Sequence, residues 1–164
     1  MLQKTWLIFF AVPVDVLTGE NQSDTDDPSC CSYPVIGEVA AGFGCEAMEE
    51  ETGEYEMIPD SWMRGHRKEN FFVLQVKGDS MYPDFIEGDR VLVHRQTSVD
   101  SGTIAVVLYD GEIATLKKVR YENNCDWMEL IPRNPEYQTK RIEKEDLNQC
   151  RVLGEVKRLI RIIK

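Results

Sequence analysis

From residue 71 onward the chain carries short apolar runs bounded by turn-forming residues. Runs of that length, rich in β-branched and aromatic residues, suit strands rather than helices. Phe71-Phe72-Val73-Leu74-Gln75-Val76 is the first, and Asp89 to His94 is the second, centred on Val91-Leu92-Val93. Ile104 to Tyr109 is the third; it ends at Asp110-Gly111, a dipeptide suited to a hairpin turn, and Ile113 to Arg120 follows as its partner. Trp127 to Ile131 makes a fifth. Residues 151–164 alternate apolar and basic side chains, and their β-branched content favours a strand. The fold expected is mainly β.

Upstream the pattern differs. Leu2, Trp6, Ile8, Phe9 and Phe10 crowd at near-helical spacing, Pro13-Val14-Asp15 makes a turn, and Gly19 closes the segment. This reads as a short helical N-terminal arm. Residues 20–34 are polar, acidic and turn-rich, as a linker is. Between 35 and 60 a small-residue stretch, Val35 to Gly44, precedes an acidic one, Glu46 to Glu56, read as a solvated loop or a strand pair.

Charge restricts the partners. The chain has 164 residues and a net charge of −10. Residues 1–60 account for about −12 of this and the rest for +2. So acidic a first third is a poor match for DNA phosphates. The five cysteines, Cys30, Cys31, Cys45, Cys125 and Cys150, include no C-x-x-C, so neither a zinc site nor a disulfide framework is indicated, and reduced thiols fit a cytoplasmic protein. No metal or cofactor is expected. The apolar run after Lys4 is short and broken by Pro13, which argues against secretion and against a membrane anchor.

Two segments carry chemistry. Val76-Lys77-Gly78-Asp79-Ser80-Met81-Tyr82-Pro83-Asp84 ends a strand and opens a turn, displaying Ser80 at the strand end. Ala114-Thr115-Leu116-Lys117-Lys118-Val119 places two lysines in an apolar strand. Alternation puts Thr115, Lys117 and Val119 on one face and Leu116 and Lys118 on the other. One lysine must face the buried side, where lost hydration lowers its pKa. A neutral lysine can take the proton of a serine hydroxyl, so no histidine is needed. The residues alone do not choose between Lys117 and Lys118.

Together these segments resemble the C-terminal domain of LexA, UmuD and phage repressors, the S24 peptidases. The resemblance rests on Gly78-Asp79-Ser80-Met81, Pro83, Gly88-Asp89, Val91-Leu92-Val93 and Thr115-Leu116-Lys117-Lys118-Val119. Leu130-Ile131-Pro132-Arg133-Asn134-Pro135 is similar to a later strand and turn of that family. The resemblance implies a compact β-barrel-like peptidase domain over residues 35–164. It implies Ser80 as nucleophile and Lys117 as general base, with Gly78, Asp79, Met81 and Pro83 shaping the turn. Ile36-Gly37-Glu38-Val39-Ala40-Ala41-Gly42 is similar to the family's self-cleavage segment, which makes Ala41–Gly42 the bond cut. Further implications are a homodimer, for which residues 156–163 offer a strand, and cleavage promoted by a RecA–single-stranded DNA filament after DNA damage.

Leu2, Lys4, Phe10, Val12, Val14, Asp15, Leu17 and Gly19 also resemble the end of a Cro/C1-type helix-turn-helix domain. Residues 1–20 would then be a remnant of that domain and 21–34 an acidic linker, with DNA bound only through helices largely missing from this chain. Three rivals stand beside a self-cleaving repressor fragment: a UmuD-like accessory protein, a non-catalytic dimerisation module, and a membrane-anchored signal peptidase.

Overall fold

The computed structural model describes residues 29–41, 47–109 and 114–163. The expected helical arm, residues 21–28 of the expected linker, Gly42, Cys45 and the Asp110-Gly111 turn lie outside the described residues. The described chain is mainly β. Nine strands form one open sheet in the order β2-β1-β3-β4-β9-β5-β6-β7-β8. They are β1 (Cys30–Ala41), β2 (Ala47–Pro59), β3 (Phe71–Gln75), β4 (Arg90–Arg95), β5 (Ile104–Tyr109), β6 (Thr115–Arg120), β7 (Trp127–Ile131), β8 (Lys140–Glu143) and β9 (Cys150–Ile160). Short 3-10 turns precede β3 and β9. All pairings are antiparallel except β1 with β3, which run parallel through Val35↔Val73 and Ile36↔Leu74.

The apolar runs are continuous because their strands are covered on both faces. Phe72 and Leu74 of β3 enter a core with Val91 and Val93 of β4 and Val106 of β5. Phe71, Val73 and Leu92 point the other way, into a core with Tyr33, Val35 and Ile58. A third core joins Ala105, Val107, Val119, Leu130, Ile142 and Val152.

One element departs from the sequence reading, and a second takes one of the two forms left open there. β1 begins at Cys30, so Cys30–Pro34, expected in the linker, belong to the sheet. The acidic stretch is the strand β2, paired with β1 from Cys30↔Pro59 to Ala41↔Ala47. Ion pairs draw its carboxylates onto the sheet. Arg90 bridges Glu54 and Glu56, and Arg95 lies 2.6 Å from Glu49.

β9 lies between β4 and β5, with register shifts against both. Gly154 allows that course, because a Cβ there would collide with the backbone carbonyl of His94.

Candidate active site

The segment after β3 folds into a hydrogen-bonded loop that returns to β4. Val76 N–H donates to the Asp89 carbonyl at 2.7 Å, and Gly88 N–H donates to the Val76 carbonyl at 2.9 Å. Gly78 has φ +73°, a left-handed angle that glycine adopts without a steric penalty. Tyr82 N–H donates to the Asp79 carbonyl at 3.0 Å and Phe85 N–H to that of Met81 at 3.0 Å. The Tyr82–Pro83 bond is cis. Ser80 is therefore held on a compact turn, with Met81 buried beneath it in the first core.

Asp89 locks this loop to the end of the chain. Its carboxylate is 2% exposed. It accepts from Arg161 Nε at 2.7 Å, Arg161 Nη2 at 2.6 Å and Ile86 N–H at 2.9 Å. Burial alone would raise its pKa; the guanidinium and the amide outweigh that and hold it below the usual value.

Across the sheet, β6 brings Lys117 to the turn. Lys117 Nζ lies 2.8 Å from Ser80 Oγ, 2.7 Å from Thr115 Oγ1 and 3.0 Å from the Leu116 carbonyl oxygen. Burial, with no carboxylate offsetting it among the described residues, pushes its pKa down to about 8. Charged, the ammonium donates to all three oxygens. Neutral, the amine can keep Thr115 and Leu116 as acceptors while its lone pair receives the Ser80 proton. Alternation had left Lys117 and Lys118 open; Lys117 is the one that reaches Ser80.

The distal part of β1 runs beside this pair. A cleft is lined by Glu38, Val39, Ser80, Met81, Ala114 and Thr115. The Val39 carbonyl accepts from Ala114 N–H at 2.7 Å, and the Val39 side chain, 2% exposed, packs in the core with Met81 and Leu116. Glu38 pairs with Lys77 at 3.2 Å. Ala41 ends β1 two residues later, and Gly42 lies outside the described residues.

Sequence reasoning passed over two contributors. Arg161 sits 72 positions from its partner Asp89. Asn134 belonged to a quoted motif, yet its contacts with the serine turn were not foreseen. Arg133 and Asn134 N–H both donate to the Ser80 carbonyl, at 3.0 and 3.1 Å, and Asn134 Nδ2 donates to the Asp79 carbonyl at 3.2 Å. Tyr137 O–H donates to the Asp79 carboxylate, which raises the tyrosine's pKa. No group of three or more potential metal ligands occurs among the described residues, and none of their helices is long and apolar enough to cross a membrane.

A mainly-β sheet that sets a strand-end serine against a half-buried lysine defines a class of domain in which serine is paired with lysine rather than histidine. The Peptidase S24-like family profile matches residues 34–157, and the chain belongs to that family. It is similar to the LexA repressor of Oleidesulfovibrio alaskensis, at 35% identity over 85% of this chain and 64% of that protein. It is likewise similar to the LexA repressor of Thermosipho africanus, at 35% identity over 82% of this chain and 64% of that protein. With that of Listeria monocytogenes the identity is 32% over 92% of this chain and 69% of the relative. The chain thus spans slightly less than two thirds of the length of the first two.

Proposed function

We propose that the chain is the self-cleaving serine peptidase part of a LexA-like repressor, with Ser80 as nucleophile, Lys117 as general base and Ala41–Gly42 as the bond cut. The observation that carries this reading is the 2.8 Å approach of Lys117 Nζ to Ser80 Oγ in a setting that favours the neutral amine. Neutral Lys117 takes the hydroxyl proton as Oγ attacks the Ala41 carbonyl carbon. Backbone N–H groups of the serine turn receive the oxyanion. The lysine then returns its proton to the departing Gly42 amine, and water resolves the acyl-enzyme. Val39, plugged into the core beside Met81, supports delivery of the bond two residues on. Because substrate and site share one chain, no bimolecular encounter is needed.

In the same reading, residues 35–164 form the peptidase domain, 1–20 a helix-turn-helix remnant and 21–34 chiefly a linker. The domain dimerises, works in the cytoplasm and is triggered after DNA damage by a RecA–single-stranded DNA filament. DNA is bound through a helix-turn-helix domain and not through the peptidase domain.

Incubating the purified chain between about pH 6 and pH 10 tests the chemistry. Wild type yields fragments of 41 and 123 residues. The rate climbs through the Lys117 pKa of about 8 and then levels off. Ser80→Ala yields neither fragment; equal cleavage by that variant overturns the assignment.

A further inference from the structure

We infer that Asn134 is a positioning residue, which aims the backbone amides of Ser80 and Met81 into the cleft as the oxyanion-binding pair. The inference rests on Ser80 being the nucleophile and adds a residue that the reaction does not otherwise use.

Peptide geometry fixes which way these amides face. In a trans peptide the C=O and the following N–H point in opposite directions. The Asp79 carbonyl is turned toward Asn134 Nδ2 at 3.2 Å. The Ser80 carbonyl is turned toward the N–H groups of Arg133 and Asn134, at 3.0 and 3.1 Å. Both carbonyls therefore face the turn that follows β7. The N–H of Ser80, opposite the first, and that of Met81, opposite the second, must face away from it. The cleft lies along Ser80 and Met81, and no residue of 132–137 lines it. Successive amides that face the same side of a turn form a concavity suited to an anionic oxygen.

Asn134 is suited to the task because it holds two consecutive peptide groups at once, one through its backbone and one through its side chain. Its side chain is itself fixed, since Oδ1 accepts from Glu136 N–H at 3.0 Å. A planar group with a donor on one side and an acceptor on the other meets both demands; a carboxylate lacks the donor. Asn134 is only 7% exposed, and a buried amide fully used in this way is costly to replace. Tyr137 braces the same unit from outside, through its N–H to the Asn134 carbonyl at 3.1 Å and its hydroxyl to the Asp79 carboxylate.

The test compares wild type with Asn134→Ala and with Tyr137→Phe, whose side chain is 46% exposed and leaves the core untouched. Two rates are read on the full chain: self-cleavage against pH, and labelling of Ser80 by an alkyl fluorophosphonate, followed by intact mass. In labelling, the Oγ–P bond forms, the P–F bond breaks, fluoride leaves and the hydroxyl proton passes to Lys117. The phosphonyl oxygen occupies the oxyanion position, so labelling reports on the amides without needing the chain's own bond.

For Asn134→Ala the expected result is a fall of about 30- to 100-fold in the plateau cleavage rate and in the maximal labelling rate kinact. The labelling KI and the pH midpoint stay at wild-type values, because Lys117 is untouched. For Tyr137→Phe the fall is about threefold to tenfold. Wild-type kinact in folded Asn134→Ala, or a loss explained entirely by a shifted pH midpoint, overturns the inference. If Asn134→Ala does not fold, Tyr137→Phe decides, and an unchanged kinact overturns it. A wild type that neither cleaves nor labels overturns the Ser80 reading itself, and this inference with it.

Discussion

The serine loop and the β1–β2 hairpin sit side by side and are held in opposite ways. The loop is tied down by backbone hydrogen bonds, by the buried Asp89 carboxylate on Arg161 and by the Asn134 bracket. Among the described residues, the distal hairpin touches the body through one backbone bond at Val39, one apolar plug and the pairs Glu38–Lys77 and Glu49–Arg95. Buried, fully bonded groups are expensive to disturb, whereas exposed ion pairs contribute only about 0–1 kcal/mol each. The contrast teaches that the serine loop is prebuilt and that placement of the distal hairpin is the adjustable quantity. In the proposed self-cleavage, that division leaves docking of the scissile strand open to regulation.

Replacing the proposed base breaks the comparison most severely. Lys117→Met lowers the self-cleavage rate by at least about 1,000-fold at every pH, measured as fragment yield. It also stabilises the fold. Below the folded pKa of about 8 the native state carries the full cost of a partly buried ammonium. Between there and the unfolded lysine value near 10.4 the unfolded chain binds more protons, so wild-type stability rises with pH across that window. The variant loses this rise and gains about 1–2 kcal/mol at pH 7 after allowance for partial exposure. Urea titrations at pH 7 and pH 10 check both signs; a variant less stable than wild type at pH 7 contradicts the account.

Asp89→Ala strikes the rigid side. Only the carboxylate of this pair is buried, and Arg161 stays partly exposed. Losing the carboxylate leaves the Ile86 N–H and the guanidinium without that acceptor, and the expected loss is about 2 kcal/mol. Thermal melts measure it, and a loss under about 1 kcal/mol shows that the loop is held without this pair.

Neutralising the hairpin pairs sharpens the comparison with the smallest effect. Glu38→Gln with Glu49→Gln costs under about 1 kcal/mol in stability. It changes the cleavage rate by about twofold to fivefold, and the difference from wild type shrinks in about 0.5 M salt as the pairs are screened. A fiftyfold change, or one indifferent to salt, moves the hairpin into the rigid class.

The sequence was most informative where local pattern and tertiary burial agree. The strands from Phe71 to Ile131 are legible because each is an apolar run with a turn at its end. β8 was missed because only Ile142 among its four residues is buried. β2 could not be told from a loop because five glutamates from Glu49 to Glu56 mask it, and pairing with β1 makes it a strand. Ser80 and Lys117 could be paired in advance through a motif, although 37 positions separate them. The Asn134 and Asp89–Arg161 contacts join segments 55 and 72 positions apart, and no local pattern announces them. Gly42, the partner of Ala41 in the proposed bond, is outside the described residues.

The place of β9 governs timing during synthesis. The ribosome delivers strands in chain order, yet the last of the described strands occupies the middle of the sheet, between β4 and β5. Ser80 belongs to the half of the sheet before that gap and Lys117 to the half after it. Until β9 emerges and inserts, the two halves have no strand joining them, and Asp89 has no Arg161. Such long-range closure is slow and comes late in folding. A nascent chain therefore holds Ser80 and Lys117 before it can bring them together, so in the proposed self-cleavage strand order delays the reaction until β9 is in place.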